Sequence, residues 1–221
     1  MISLQTLWLN VRDLSRKDNI GGYLGNDEFN RQVALAQTIL FDYYYARKNE
    51  TEARETLAPF QQSSLIKKAS GAYALPDDYR NKLDAGLAIG NIYKPVHFPA
   101  RDELMMSLSS PVRGPSLERN VIVGELRDTD IQVWPDTDYK LFLRYYQNPP
   151  VATRAVTVDV SEIEEVYDDG STINLIWPAE KIQDFIDMLL LFKGLAIRDS
   201  SLIEWVQGHR MIQKTIAGDE R

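Results

Sequence analysis

Hydrophobic residues recur at helical spacing near both ends of the chain and alternate in its middle. Leu4, Leu7, Trp8, Val11 and Leu14 predict a short amphipathic helix over residues 3–14, followed by a loop over 15–25 that carries Gly21, Gly22 and Gly25. Asn26, Asp27 and Glu28 make a good helix start, because a capping side chain and two acids suit the positive end of the helix dipole. Phe29, Val33, Ala36, Leu40 and Tyr43 form the stripe of this second helix, which runs to about Arg47, where Arg47 and Lys48 suit the negative end. Residues 51–57 make one more short helical segment, stopped by Pro59.

The middle of the chain reads as β structure. LPDDYR at 75–80 is a turn, and short apolar pieces from Leu83 to Val96 are separated by Gly86, Gly90 and Pro95. Residues 99–119, with Pro99, Pro111, Gly114 and Pro115, read as loop, and Val121 to Leu126 as a strand. The stretch 131–150, IQVWPDTDYKLFLRYYQNPP, predicts a central hairpin: two strands joined by a turn at 135–138 and closed by Pro149 and Pro150, which have no N–H to donate to a ladder. Tyr139, Leu141, Leu143 and Tyr145 point to one face of its second strand, and Lys140, Phe142, Arg144 and Tyr146 to the other. Bulk on both faces places that strand at the centre of a sheet covered in part on its second side. Val156, Val158 and Val160 predict another strand, DDG at 168–170 a turn, and INLIW at 173–177 a further strand.

Helical spacing returns at the end. Pro178 suits a first helical position, and Ile182, Phe185, Ile186, Leu189 and Leu190 predict the strongest helix in the chain, ended by Gly194. Ser200 or Ser201 caps a last helix that carries Leu202, Trp205, Val206, His209 and Ile212 and stops at Gly218. The expected fold is α+β in one domain over 1–221: N-terminal helices over 1–58, an antiparallel β-rich region over 59–177 inserted between them, and C-terminal helices over 178–221 that pack with the first as one helical layer.

Composition narrows the function. A chain of 221 residues with 44% hydrophobic content has enough material for a core. Without cysteine there is no disulfide framework, thiolate metal site or Cys nucleophile. The N-terminus lacks the basic start and apolar run of a targeting signal, and no window is apolar enough to span a bilayer, which predicts a soluble protein of a cytoplasm. The net charge of −7 opposes binding to a phosphate backbone. It is uneven: Asp159, Glu162, Glu164, Glu165, Asp168 and Asp169 lie in residues 155–177, where there is no Lys or Arg, either as a solvated hairpin or as an acidic surface turned to a partner or a channel.

No catalytic constellation emerges from the residues. His97 sits between prolines and His209 on the apolar side of the last helix, both better read as structural. There is no GxSxG, SxxK, GxGxxG or GxxxxGK[ST], and the pairs Asp128 with Asp130, Asp136 with Asp138, and Asp168 with Asp169 lack the calcium-loop continuation and suit turns. No cofactor or metal is expected. The tyrosines at 43, 44 and 45 exceed what one core stripe needs, and Trp205 lies beside the narrowest stripe of the last helix. Tyr43, Tyr44, Tyr45 and Trp205 are therefore the candidates for a subunit interface, where tyrosine and tryptophan are favoured. The alternative is a carbohydrate-binding or host-recognition module using Trp134, Trp177 and the tyrosine-rich strand.

Several stretches, in order, carry a family likeness: GGYLGNDEFNRQVALAQTILFDYY, LPDDYR, IQVWP, YKLFLRYYQNPP and EKIQDFIDMLLLFKGLAIRDSSLIEWV. Together they resemble the head-to-tail connector proteins, also called adaptor or ring proteins, of tailed bacteriophages, and are similar to the tail tubular protein A group of short-tailed and crAss-like phages. The resemblance implies a helical layer with a β-rich insertion, and a virion protein with no catalytic residues. It also implies assembly as a twelve-fold homo-oligomeric ring between the capsid portal and the tail. Its partners would be the portal protein and other connector and tail proteins, and DNA would pass through the channel without sequence-specific binding. The host cytoplasm would hold the protein during assembly.

Overall fold

The fold is that of a computed structural model, which describes residues 1–15, 24–90, 92–110, 114–159 and 164–197. In chain order the elements are α1 (Leu4–Ser15), α2 (Asn26–Ala46), α3 (Thr51–Leu57), β1 (Gln61–Ile66), β2 (Tyr73–Ala74), β3 (Tyr79–Ile89), β4 (Ile92–Pro95), α4 (Arg101–Ser109), β5 (Val123–Leu126), β6 (Asp130–Trp134), β7 (Lys140–Gln147), β8 (Thr153–Asp159), β9 (Glu164–Ile173) and α5 (Ile182–Ile197). The fold is α+β with antiparallel sheets. Contacts gather the chain into two compact units, one from Met1–Pro59 with Pro149–Arg221 and one from Phe60–Asn148. The β-rich region is thereby divided, because β8 and β9 belong with the helices. The expected last helix lies outside the described residues.

In the helical unit, α1 buries Leu4, Leu7 and Val11, and α5 buries Phe185, Ile186, Leu189 and Leu190. The buried side of α2 runs through Phe29, Val33, Ala36, Leu40, Phe41 and Tyr44. Tyr43, which the spacing put in the stripe, is exposed instead, since the stripe drifts by one position over four turns of a 3.6-residue helix. Nor does Asn26 cap α2. The capping position is Gly25, and Asn26 is buried, its amide committed to Arg154. Gly194 does not stop α5, which continues to Ile197. A helical glycine costs roughly 1 kcal/mol against alanine, but it ends a helix only where the backbone turns left-handed.

β8 and β9 pair from Asp159↔Glu164 to Ala155↔Asp168, and the next pair is Thr153↔Ile173. The expected turn at 168–170 is thus an irregularity inside β9. The Asp168 carboxylate accepts from the N–H groups of Gly170 (3.0 Å) and Ser171 (3.4 Å), and its carbonyl accepts from Thr172 Oγ1 (2.6 Å). Local aspartate chemistry is present there, absorbing surplus residues within a strand rather than reversing the chain. Hydrogen bonds from the Asp168 environment, first that of Ser171, hold this carboxyl below its ordinary range.

The helical unit joins segments far apart in sequence, and Arg154 is where several meet. Its Nε donates to Gln5 of α1 (2.9 Å) and its Nη1 to Asn26 of α2 (2.8 Å). Its carbonyl accepts from Asn26 and Asn30 (both 3.1 Å), and its N–H donates to Asn30 Oδ1 (2.9 Å). The guanidinium also lies 4.2 Å from the centre of the Trp8 ring and 5.5 Å from that of Tyr167. Only 3% of Arg154 is exposed. An arginine so buried is tolerated because its donors are met.

The second unit holds two sheets, β1-β7-β3-β4 and β2-β6-β5. Leu141, Leu143 and Tyr145 of β7 and Ala85 and Leu87 of β3 meet Tyr73, Ile122, Ile131 and Val133 from the other sheet in one core. The expected hairpin of β6 with β7 does not form: β6 pairs with β2 and β5, and β7 with β1 and β3. Both strands have an apolar face that must be buried, and placing them in facing sheets buries both on one core. β7 is nonetheless an interior strand, as expected, with Leu143 at 0% exposure and Tyr146 at 2%. Residues 101–109, expected as loop, form α4 with Asp102 and Glu103 in its first turn. The flanking Pro99 and Pro111 bound this helix rather than exclude it.

Two stability changes follow. Leu143→Asp places a charge in the core of the second unit, with an expected loss on the order of 4 kcal/mol, read as a lower denaturant midpoint; a parental midpoint would show that β7 is not held in that core. Arg154→Lys keeps the charge but loses the forked donor set, with an expected loss of about 2–3 kcal/mol, visible as a lower melting temperature with the Leu143 region still protected in hydrogen exchange.

Candidate functional site

Successive residues of a helix lie about 100° apart, so the three adjacent tyrosines of α2 point in three directions. Tyr44 turns inward. Its hydroxyl donates to Asp184 Oδ2 of α5 at 2.6 Å, and its ring packs 6.2 Å from that of Trp177. Lys181, ion-paired with Glu52 of α3, lies over the same ring at 5.1 Å. Burial first, then the hydrogen bond and charge of Asp184, push the Tyr44 hydroxyl well above its ordinary pKa of 10.0. Tyr44 is therefore a core side chain joining α2, α3 and α5, and is not presented to a partner.

Tyr45 is half-buried, stacked on Phe41 with Lys48 at 4.4 Å from its ring. Tyr43 is 42% exposed, with Arg47 at 4.4 Å over its ring. Of the three described interface candidates it is the one on the open surface; Trp205 lies outside the described residues. Sequence reasoning missed two companions. Leu35 (51% exposed) and Ile39 (38% exposed) precede Tyr43 at intervals of four, so all three fall on the solvent side of α2. The available signal was that apolar pair at i, i+4 opposite the core stripe, which the richer inward stripe masked.

The acidic stretch has the other distinctive surface of this unit. Glu165 and Asp169 on β9 are exposed, and the nearest preceding base, Arg154, is turned into the interior. Residues 60–148 contain equal numbers of acidic and basic side chains, so the whole net charge of −7 belongs to the rest of the chain.

The other candidates have structural settings. The carbonyl of His97 accepts from Gly124 N–H (2.7 Å) and its own N–H donates to Ile122 (2.9 Å), so this segment serves β5; His209 lies outside the described residues. Asp136 is ion-paired with Lys68, and Asp130 begins β6. Among the described residues there is no group of three or more His, Asp or Glu side chains placed to hold a metal ion. No described helix is long and apolar enough to cross a membrane. Trp177 is fully buried, its ring 5.4 Å from that of Phe185 and its Nε1 donating to Gln37 (3.3 Å), so it offers no face to a sugar. The carbohydrate-binding alternative loses one of its two tryptophans.

Tyr44 gives the unit a specific alkaline response. Its folded pKa is raised, so the stability it contributes is complete below the unfolded value of 10.0 and is lost as pH rises above it, because the unfolded chain then releases a proton that the folded one retains. Tyr44→Phe is expected to be less stable than the parent at neutral pH by about 1–2 kcal/mol, and to show a shallower decline in unfolding free energy above pH 10. Parallel declines in the two proteins would show that the fold does not hold that proton on the Tyr44 hydroxyl.

No protein-family model matches this chain, and no curated protein sequence matches it.

Proposed function

We propose that this chain is a virion structural protein, the subunit of a connector ring between capsid portal and tail that extends the DNA channel and acts without catalysis. The observation that carries the reading is the order and spacing of the stretches that resemble tailed-phage connector proteins. Those stretches coincide with regular elements: the first contains most of α2, the second enters β3, the third and fourth supply β6 and β7, and the last begins with α5. A resemblance spread over an ordered set of elements is harder to produce by chance than one in a single helix.

The charge distribution supports the same reading. A surface with exposed Glu165 and Asp169 repels the phosphates of a passing duplex, which suits a channel wall that must not retain DNA. In a cyclic ring each subunit offers one surface to one neighbour and a different surface to the other. Tyr43, exposed and backed by Arg47, is the candidate anchor on α2. The partners are the portal, the next connector or tail protein, and other copies of this chain.

The test is to mix the protein with the portal protein of the same virion and image the complex by electron microscopy. Closed rings seated on the portal are the expected outcome, with Tyr43→Ala lowering the fraction of complete rings. A folded protein that leaves the portal bare at all ratios overturns the reading.

A further inference from the structure

We propose that the exposed face of α2 pairs antiparallel with the same face of a second copy of this chain, forming a two-fold dimer of the free protein. The face combines an apolar centre with charges arranged to complement their own reverse. Leu35 and Ile39 lie at its middle, Arg31 one turn before them and Asp42 about one turn after, all exposed.

The positions decide the partner. The midpoints of Arg31 with Asp42 and of Leu35 with Ile39 both fall within half a residue of position 37. A two-fold axis beside residue 37 therefore sets Leu35 against Ile39 of the other copy and Arg31 against its Asp42, each contact occurring twice. The helix dipoles also run in opposition. A parallel pairing in register would set Arg31 on Arg31 and Asp42 on Asp42, which like-charge repulsion disfavours. Small side chains at Ala34, Thr38 and Ala46, all exposed, leave room along the seam for a close approach. Leu35 and Ile39, exposed among the described residues, then gain an apolar contact.

Such a contact is isologous and complete at two copies, so it stands independently of the ring reading. One helix pair buries less than a standard interface, which places the contact among weak, reversible associations.

The test is sedimentation velocity of the full chain over a concentration series reaching about 100 μM. The parent is expected to shift from monomer to dimer and no further. Asp42→Arg sets one arginine against Arg31 of the other copy at each of the two symmetric contacts and is expected to weaken the dimer about tenfold or more. Adding Arg31→Asp to the same chain restores opposite charges and is expected to bring the constant back to within about threefold of the parent. Ile39→Glu, with unchanged circular dichroism, is expected to leave monomer only. A parent that stays monomeric throughout, or that assembles beyond two copies, overturns the proposal. So does a charge-swapped double variant that remains as weak as Asp42→Arg while keeping the parent's melting temperature. Failure to seat on a portal would leave these outcomes unchanged, so this inference and the ring reading fail separately.

Discussion

Taking a guanidinium out of water costs several kcal/mol unless its donors are met, and at Arg154 that requirement ties the helical unit together. The residue lies at the start of β8, yet its partners come from α1 and α2, more than a hundred positions earlier. Satisfying it fixes where the returning chain must lie relative to both helices. The same closure is repeated by smaller contacts: Ile2 pairs with Leu175 as an isolated bridge, Trp177 donates to Gln37, and Tyr44 donates to Asp184. Residues before 60 and after 148 form one unit, and polar groups in each half are matched by groups of the other.

The second unit obeys a simpler constraint. Its two sheets share an apolar core to which β7 and β3 contribute most on one side and β6 and Tyr73 on the other. The chain changes sheet between Trp134 and Lys140, so neighbours in sequence become opposite walls of the core. Tyr73, fully buried, bridges the change: its hydroxyl donates to the carbonyl of Tyr139 at 2.7 Å. On the outer side of β7, Phe142 lies 4.8 Å from Tyr93, and the strand between them carries Gly86, where a Cβ would come within 3.1 Å of the Lys94 carbonyl.

What the sequence makes legible is what local periodicity controls. The spacing of apolar residues locates α1, α2, α3 and the main part of α5, and alternation locates β5, β6 and β7, because those signals arise within a few residues. Pairing is not local. Nothing in IQVWPDTDYKLFL distinguishes a hairpin from a crossing between sheets, since both need a turn flanked by alternating strands. Likewise DDG provides the same aspartate hydrogen bonds at a chain reversal or inside β9. Asn26 shows the limit for capping: its side chain suits a cap, but a buried arginine competes for it and wins. For the interface candidates, composition drew attention to the tyrosine run, but only the helix phase separates Tyr43, which is accessible, from Tyr44, which is core.

The surfaces of the helical unit differ in the range of the forces they exert. The acidic charge of β9 acts over a Debye length, about 8 Å at physiological salt, and between two copies it is repulsive. The apolar residues of α2 act only in contact and are not screened by salt. A net charge of −7 confined to this unit therefore opposes any close approach of copies except where a local surface is both apolar and charge-balanced. The outer face of α2, with Leu35 and Ile39 between Arg31 and Asp42, has both properties, whereas the β9 surface around Glu165 and Asp169 has no balance of charge. Repulsion over most of the unit then does more than keep copies apart: it penalises every mutual orientation that brings the acidic hairpins together, and so narrows association to the few geometries in which they stay distant.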